Sequence, residues 1–144
     1  MSAPAPAFYH QMSATDSIKR ADSPDFGWHV RTVNMLMDVL SNPDLYESKD
    51  EPRPSGAAIL AAADALIHVE AQDKDNVEIE PYSGELSLIW RTGRERRVKA
   101  MFGQEKGSYS VYYERMVNGK VTEHHLEPNA DHTYLKERLA WLHG

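Results

Sequence analysis

The chain has 144 residues, no cysteine and a formal net charge of −6 at pH 7. Without cysteine it has no disulfide, thiolate metal site or cysteine nucleophile, and no apolar run reaches the roughly 18 residues that a membrane span needs. The acidity is uneven, because residues 1–76 hold twelve acidic and six basic side chains while residues 77–144 hold ten of each. These features predict one acidic domain without a membrane segment, most simply in the cytoplasm.

Residues 1–24 are expected to form a flexible or draped leader, followed by a single domain over residues 25–144. The leader is rich in proline and lacks apolar periodicity. A first helix is predicted over residues 25–41, with Asp25 as its N-cap. Apolar residues recur there at steps of three and four. The expected buried stripe consists of Phe26, Val30, Val33, Leu36, Met37 and Leu40.

A second helix is predicted over residues 55–71, where alanine is frequent and favours helix. Ser55 is placed to cap its first turn. A polar run at residues 72–76 then predicts a turn. The expected core stripe of this helix consists of Ile59, Ala63, Leu66 and Ile67.

Five strands are predicted next, and a final helix is capped by Asn129 or Asp131. Short connections between strands, including the hairpin signal Asn118-Gly119, favour antiparallel pairing. The predicted fold is α+β, a mainly antiparallel five-stranded meander with helices packed on one face, in the order α-α-β-β-β-β-β-α. The first strand begins at Val77, and the others cover residues 85–91, 96–102, 108–116 and 120–127.

Alternation along the strands assigns side chains to two faces of the sheet. The face expected to contact the helices carries Leu86, Leu88, Trp90, Val98, Phe102, Tyr109, Val111 and Tyr113. The outer face is expected to carry Ile89, Arg91, Arg97, Lys99, Met101, Tyr112 and Glu114. Arginine, tyrosine and methionine are enriched in protein interfaces, so the outer face is a candidate contact surface.

Residues 54–115 contain an alanine-rich helix after a Pro-Ser start, followed by a strand motif of the form Pro-x-x-Gly-x-Leu-x-Leu-x-Trp and then by paired tyrosines. This pattern resembles that of a largely uncharacterised family of small bacterial and phage α+β proteins. Many members open on a Gly-Trp-Asp-Gly type segment, whereas this chain has Phe26-Gly27-Trp28-His29. The residues that match are Pro54, Ser55, Ala57 to Val69, Val77, Ile79, Pro81, Gly84, Leu86, Leu88, Trp90, Tyr112 and Tyr113. The resemblance implies a protein of the bacterial accessory genome and transfers no catalytic residue.

Catalytic chemistry has little support in the sequence. No nucleophile elbow and no phosphate-binding loop is present, and no catalytic residue, metal ligand or cofactor is predicted. His124 and His125 are adjacent in a strand, so they point to opposite faces. His132 is placed to approach one of them, and His68 is expected to be a hydrogen-bonded, partly buried residue of the second helix. A metal-dependent enzyme that uses the face of Glu123, His125 and Glu127 is kept as an alternative.

The leading functional hypothesis is a non-enzymatic protein-binding module that acts as an inhibitor, antitoxin or anti-defence (anti-CRISPR-like) protein by occupying a partner's surface. An acidic N-terminal half that mimics nucleic-acid charge is a second candidate surface, and a homodimer is a further alternative. A nucleic-acid-binding module that uses the basic hairpin at residues 91–99 is also considered. The residues predicted to bind the partner are Arg91, Arg94, Arg96, Arg97, Lys99, Met101 and Tyr112.

Overall fold

The computed structural model describes residues 24–103 and 108–144, with side chains from Gly27 onward. The predicted leader lies outside these residues, except for Pro24. The described part contains four α-helices, one 3-10 turn and five strands. In chain order they are α1 (Pro24–Leu40), the 3-10 turn (Pro43–Leu45), α2 (Gly56–Ile67), α3 (Ala71–Asp75), β1 (Glu78–Tyr82), β2 (Glu85–Thr92), β3 (Arg96–Phe102), β4 (Tyr109–Val117), β5 (Lys120–Ala130) and α4 (His132–Leu142).

The strands form one antiparallel sheet in the order β1-β2-β3-β4-β5, which confirms the predicted meander. Asn118 and Gly119 connect β4 to β5 with φ values of +53° and +79°. Both residues therefore occupy the left-handed region that a two-residue hairpin turn requires. The two residues that connect β1 to β2 have the same left-handed conformation, with φ values of +51° at Ser83 and +88° at Gly84.

Side-chain caps define the starts of two helices as the sequence predicts. Ser55 Oγ accepts a hydrogen bond from the backbone N–H of Ala58 at 3.1 Å and begins α2. Of the two candidates for the last helix, Asp131 is the cap, because its Oδ1 accepts from the N–H of Tyr134 at 2.8 Å. The prediction that Asp25 caps the first helix is wrong, since α1 begins at Pro24, a residue well suited to a first helical turn.

The core lies between the sheet and the helices. The predicted inward set is confirmed, with Trp90, Phe102 and Val111 fully buried and Tyr113 partly buried against the core. Small alanines bring α2 close to β2 and β3, and α4 packs against the same two strands. The described helices thus cover one face of the sheet, as the alternation of apolar residues requires.

The predicted stripe of α1 is partly wrong. Val30 and Met37 are 38% and 55% exposed, whereas Leu36 and Leu40 are buried. This helix packs mainly against α2 and makes a smaller contact with β1, so one narrow stripe of apolar residues fills its main contact. Val30 and Met37 lie on the flank of that stripe, where helical spacing alone does not distinguish them from core residues.

Two element boundaries also differ from the prediction. The second helix ends at Ile67, and the segment predicted as a turn forms the short helix α3, which buries Asp73. The last strand continues to Ala130 rather than ending at residue 127. None of the helices in the described residues is long and apolar enough to cross a membrane.

Candidate functional site

His132 is the centre of a cluster of polar side chains that joins three elements. It is the first residue of α4, immediately after the capping Asp131. Its Nε2 lies 2.9 Å from Asp64 Oδ2 of α2, and its Nδ1 lies 2.8 Å from the hydroxyl of Tyr109 at the start of β4. Tyr109 pairs with Ala130 at the end of β5, so the sheet brings the tyrosine to the start of α4.

The partners of His132 determine how its protons are arranged. The carboxylate of Asp64 can only accept a hydrogen bond, so Nε2 carries a proton and donates it. In the neutral imidazole Nδ1 is then an acceptor, and the Tyr109 hydroxyl donates to it. The three side chains form a directed chain of hydrogen bonds from tyrosine through histidine to aspartate.

His68 completes the cluster from one helical turn beyond Asp64. Its ring stacks on that of His132, with centroids 4.5 Å apart and planes inclined by 27°. Its Nδ1 lies 2.7 Å from the backbone carbonyl of Asp64, which can only accept, so Nδ1 carries the proton. The ligand atoms of Asp64, His68 and His132 all lie within 4.8 Å of one another.

A cleft of about 360 Å³ borders this cluster. Burial raises the pKa of the Tyr109 hydroxyl far above its usual value, and the nearby carboxylates of Asp131 and Asp64 raise it further. The hydroxyl is therefore a neutral hydrogen-bond donor at physiological pH. The cleft is lined by Ala61, Asp64, Ser108, Tyr109, Ala130, Asp131 and His132.

The sequence pattern indicates no role for Asp64 and places His132 near the pair His124 and His125. The structure places His132 against His68 instead. An available signal was the spacing Asp64-x-x-x-His68, which puts both side chains on one face of a helix. The contribution of His132 had no such signal, because it depends on how α4 packs.

The two adjacent histidines of β5 occupy opposite faces of the sheet. His125 pairs in register with Tyr113 on the helix-side face, and its Nε2 lies 3.6 Å from Glu127 Oε1. His124 is on the outer face, with its ring 6.4 Å from that of Tyr112. The two rings therefore belong to different surfaces.

Most of the predicted partner-binding cations form ion pairs with nearby acids. Arg91 Nε is 2.7 Å from Glu78 Oε2, and Lys99 Nζ is 3.9 Å from Glu80 Oε1. Arg97 Nε lies 3.3 Å from a carboxylate oxygen of Glu114, outside hydrogen-bond geometry. These contacts neutralise much of the positive charge that the sequence concentrates in the hairpin.

The remaining two arginines of the hairpin differ from each other. Arg96 lies on the helix-side face, where it donates to the Trp141 carbonyl at the end of α4 and sits 5.1 Å from the centre of the Trp141 ring. Arg94 lies in the turn before β3, and no ion pair to it occurs within residues 24–103 and 108–144. All four arginines of the predicted set nevertheless border one small cleft of about 50 Å³, together with Glu95 and Glu114, whereas Lys99, Met101 and Tyr112 do not line it.

The outer face is also less open than the alternation suggests. Ile89 lies outside the core cluster, yet it is only 2% exposed. The pair of Lys99 on β3 and Glu80 on β1 spans β2, next to Ile89 in the register. Tyr112 is partly buried and donates to Glu114 Oε1 at 2.9 Å, and burial together with this bond raises the pKa of its hydroxyl. Met101 is also partly buried.

The two edges of the sheet differ in length and composition. The strand β1 has five residues and includes Pro81, which has no N–H to donate. The strand β5 has eleven residues, and those from Lys120 to Leu126 are all exposed. In the described part of the chain, no strand pairs with the outer side of β5.

A second aspartate–histidine pair holds the opposite end of α4. His143 follows the last residue of the helix, and its Nε2 lies 2.7 Å from Asp73 Oδ1 of α3. The backbone carbonyl of Asp73 accepts a hydrogen bond from Trp90 Nε1 at 2.7 Å. The Asp73–His143 pair is therefore linked to the hydrophobic core through Trp90.

No protein-family model, curated protein or solved structure matches this chain.

Proposed function

We propose that this protein is a non-enzymatic protein-binding module whose contact surface is the β5 edge, residues 120–127. A partner would add one of its own strands to this edge. The role implied by the family resemblance, that of a bacterial or phage inhibitor, antitoxin or anti-defence protein, is compatible with this mode, because such proteins act by occupying a surface.

The exposed length of β5 is the observation that carries the proposal. A sheet edge presents backbone N–H and C=O groups that can pair with another chain. Strand addition obtains affinity from these backbone bonds and specificity from alternate side chains. The edge at β1 is short and contains Pro81, whereas β5 offers a run of eight residues before Pro128.

The side chains of β5 indicate what kind of strand would pair with it. Leu126 is 51% exposed on the outer face, in register with Tyr112. Glu123 and Glu127 lie on the helix-side face. Directly opposed side chains of adjacent strands interact, so a suitable partner strand carries an apolar residue opposite Leu126 and basic residues opposite the two glutamates.

The nucleic-acid alternative has less support from the geometry. Affinity for a phosphate backbone accumulates from cations that are free to contact it. Arg91, Arg97 and Lys99 each lie against a carboxylate, and Arg96 is directed at the end of α4. A net charge of −6 adds general repulsion of a polyanion.

Photo-cross-linking from the two sheet edges tests the proposal. Benzoylphenylalanine is placed at His124 in β5 and, as the matched control, at Tyr82, an exposed aromatic residue of β1. After irradiation in cells, mass spectrometry identifies the cross-linked proteins. We expect one protein to be cross-linked from position 124 and not from position 82, through an extended segment.

The purified partner then allows the affinity to be measured. Leu126→Asp is expected to weaken binding at least about tenfold, because it places a charge in the new interface. Tyr82→Asp at the other edge should leave the affinity unchanged. Equal cross-linking from both edges, or only a second copy of this chain at position 124, would contradict a specific heterologous partner.

A further inference from the structure

We infer that Asp64, His68 and His132 form a binding site for a divalent first-row transition ion such as Zn²⁺. The three residues supply one carboxylate oxygen and two imidazole nitrogens, all within 4.8 Å of one another. Aspartate and histidine are ordinary zinc ligands. The inference is independent of partner binding at β5, because it uses α2 and α4.

His68 already has the tautomer that a metal ligand needs. Its Nδ1–H donates to the Asp64 carbonyl, so the lone pair of Nε2 is free to coordinate. In metal sites the second nitrogen of a ligating histidine almost always donates to a carbonyl, carboxylate or water, which sets the tautomer and the ring orientation. The bond from His68 to the helix backbone supplies this support before any ion arrives.

His132 needs one rearrangement of protons to coordinate through Nε2. In the present arrangement Nε2–H donates to Asp64, and Tyr109 donates to Nδ1. When an ion takes the place of the Nε2 proton, that proton moves to Nδ1, which then donates to the Tyr109 oxygen. The imidazole stays neutral, and the carboxylate of Asp64 exchanges a hydrogen bond for a metal bond.

The positions of the ligands on the fold also suit a metal site. Asp64 lies in the last turn of α2 and His68 is the C-cap residue four positions later, still with helical backbone angles, so both project from one helix face. His132, at the start of α4, supplies the third ligand from a different element. The side chain of Asp64 is 50% exposed, and the cleft of about 360 Å³ next to Asp64 and His132 gives an ion access from solvent.

The ligand set selects among ions. Two nitrogens and one oxygen suit Zn²⁺ and its neighbours such as Co²⁺, whereas Ca²⁺ and Mg²⁺ prefer ligand sets made of oxygens. Three protein ligands leave at least one coordination position of the ion open. Bound water would occupy that position, at the border of the cleft.

The test is a titration of the full-length, chelator-treated protein with ZnCl₂ by calorimetry, and with CoCl₂ by visible absorption. We expect one ion to bind per chain, and the bound Co²⁺ to show the intense visible absorption of an ion with a low coordination number. MgCl₂ and CaCl₂ should produce no comparable binding heat. His68→Ala is the main variant because His68 is exposed, so its removal should leave the fold intact. The substitution should weaken Zn²⁺ binding by at least about 100-fold. Loss of a residue that only supports a ligand costs up to about 100-fold, and loss of a ligand itself should cost at least as much.

His125→Ala is the matched control, since His125 also lies beside a carboxylate, that of Glu127. It should bind Zn²⁺ as the wild type does, and Asp64→Asn should reproduce the loss seen with His68→Ala. The site would be disproved if the wild type bound no stoichiometric Zn²⁺ or Co²⁺. It would equally be disproved if His68→Ala retained full affinity, or if His125→Ala lost it.

Discussion

The two ends of α4 are held by the same kind of pair in opposite environments. At its start, His132 bonds to Asp64, whose side chain is half exposed. At its end, His143 bonds to Asp73, whose side chain is only 3% exposed. In the first pair the histidine is the more buried partner, and in the second pair the aspartate is.

The surroundings of each pair explain what it can do. Asp73 is joined to the core through its backbone carbonyl and Trp90, and no second histidine lies near it in the described residues. Asp64 borders a cleft and has a further histidine, His68, within reach. An aspartate–histidine contact is therefore structural where the carboxylate is enclosed, and a candidate binding site where neighbouring donors and open space remain.

The largest effect expected from this comparison is that of Trp90→Phe. The substitution keeps an aromatic ring but removes the indole N–H that satisfies the buried Asp73 carbonyl, and it leaves unfilled volume. We expect a loss of about 2–4 kcal/mol in the free energy of unfolding, measured in urea. A loss below about 1 kcal/mol would show that Trp90 does not join the Asp73 pair to the core.

Replacing each aspartate by alanine tests the comparison directly. Asp73→Ala removes a buried acceptor of His143 and should lower the free energy of unfolding by about 1–3 kcal/mol. The matched variant Asp64→Ala, at a half-exposed position of the alanine-rich α2, should change it by less than about 0.5 kcal/mol in metal-free buffer. Equal losses from both variants would contradict the assignment of different roles to the two pairs.

Tyr109, which bonds to the His132 of the first pair, should make the free energy of unfolding depend on pH in the alkaline range. Because the pKa of its hydroxyl is raised in the folded protein, the unfolded chain loses this proton first as the pH rises. The contribution of Tyr109 to stability is complete below its unfolded pKa of about 10 and declines above that value. Unfolding measured in urea from pH 8 to 11 should show a shallower decline for Tyr109→Phe than for wild type. Tyr82→Phe, which removes an exposed hydroxyl, should follow the wild type, and identical slopes for Tyr109→Phe and wild type would contradict the prediction.

The smallest effect on stability should come from His68→Ala without metal. In the described residues, the exposed ring of His68 hydrogen-bonds to the Asp64 carbonyl and stacks on the ring of His132. We expect a change of less than about 0.5 kcal/mol in urea unfolding. With saturating Zn²⁺ the wild type should gain stability and the variant should not, since only the wild type would bind the ion tightly. A variant that gained as much as the wild type would contradict this role for His68.

Much of the fold was predictable from local patterns. Alternation identified the inward residues from Leu86 to Tyr113, Asn118-Gly119 identified a hairpin, and Ser55 identified the start of a helix. The predictions were wrong where burial depends on tertiary packing. Helical spacing predicted that Val30 and Met37 belong to the buried stripe of α1, but only the row of residues that contains Leu36 is buried in the contact with α2.

The predicted site residues show the same limit more sharply. The sequence alone shows a dense basic hairpin, and it determined the meander, its turns and the two faces of the sheet, because these depend on neighbouring residues in the chain. Only the tertiary structure decided that Arg91, Arg97 and Lys99 meet acids from other strands, and that His132 meets Asp64 across 68 positions. Contacts between distant segments depend on how whole elements pack, and no local pattern of spacing or charge encodes that packing.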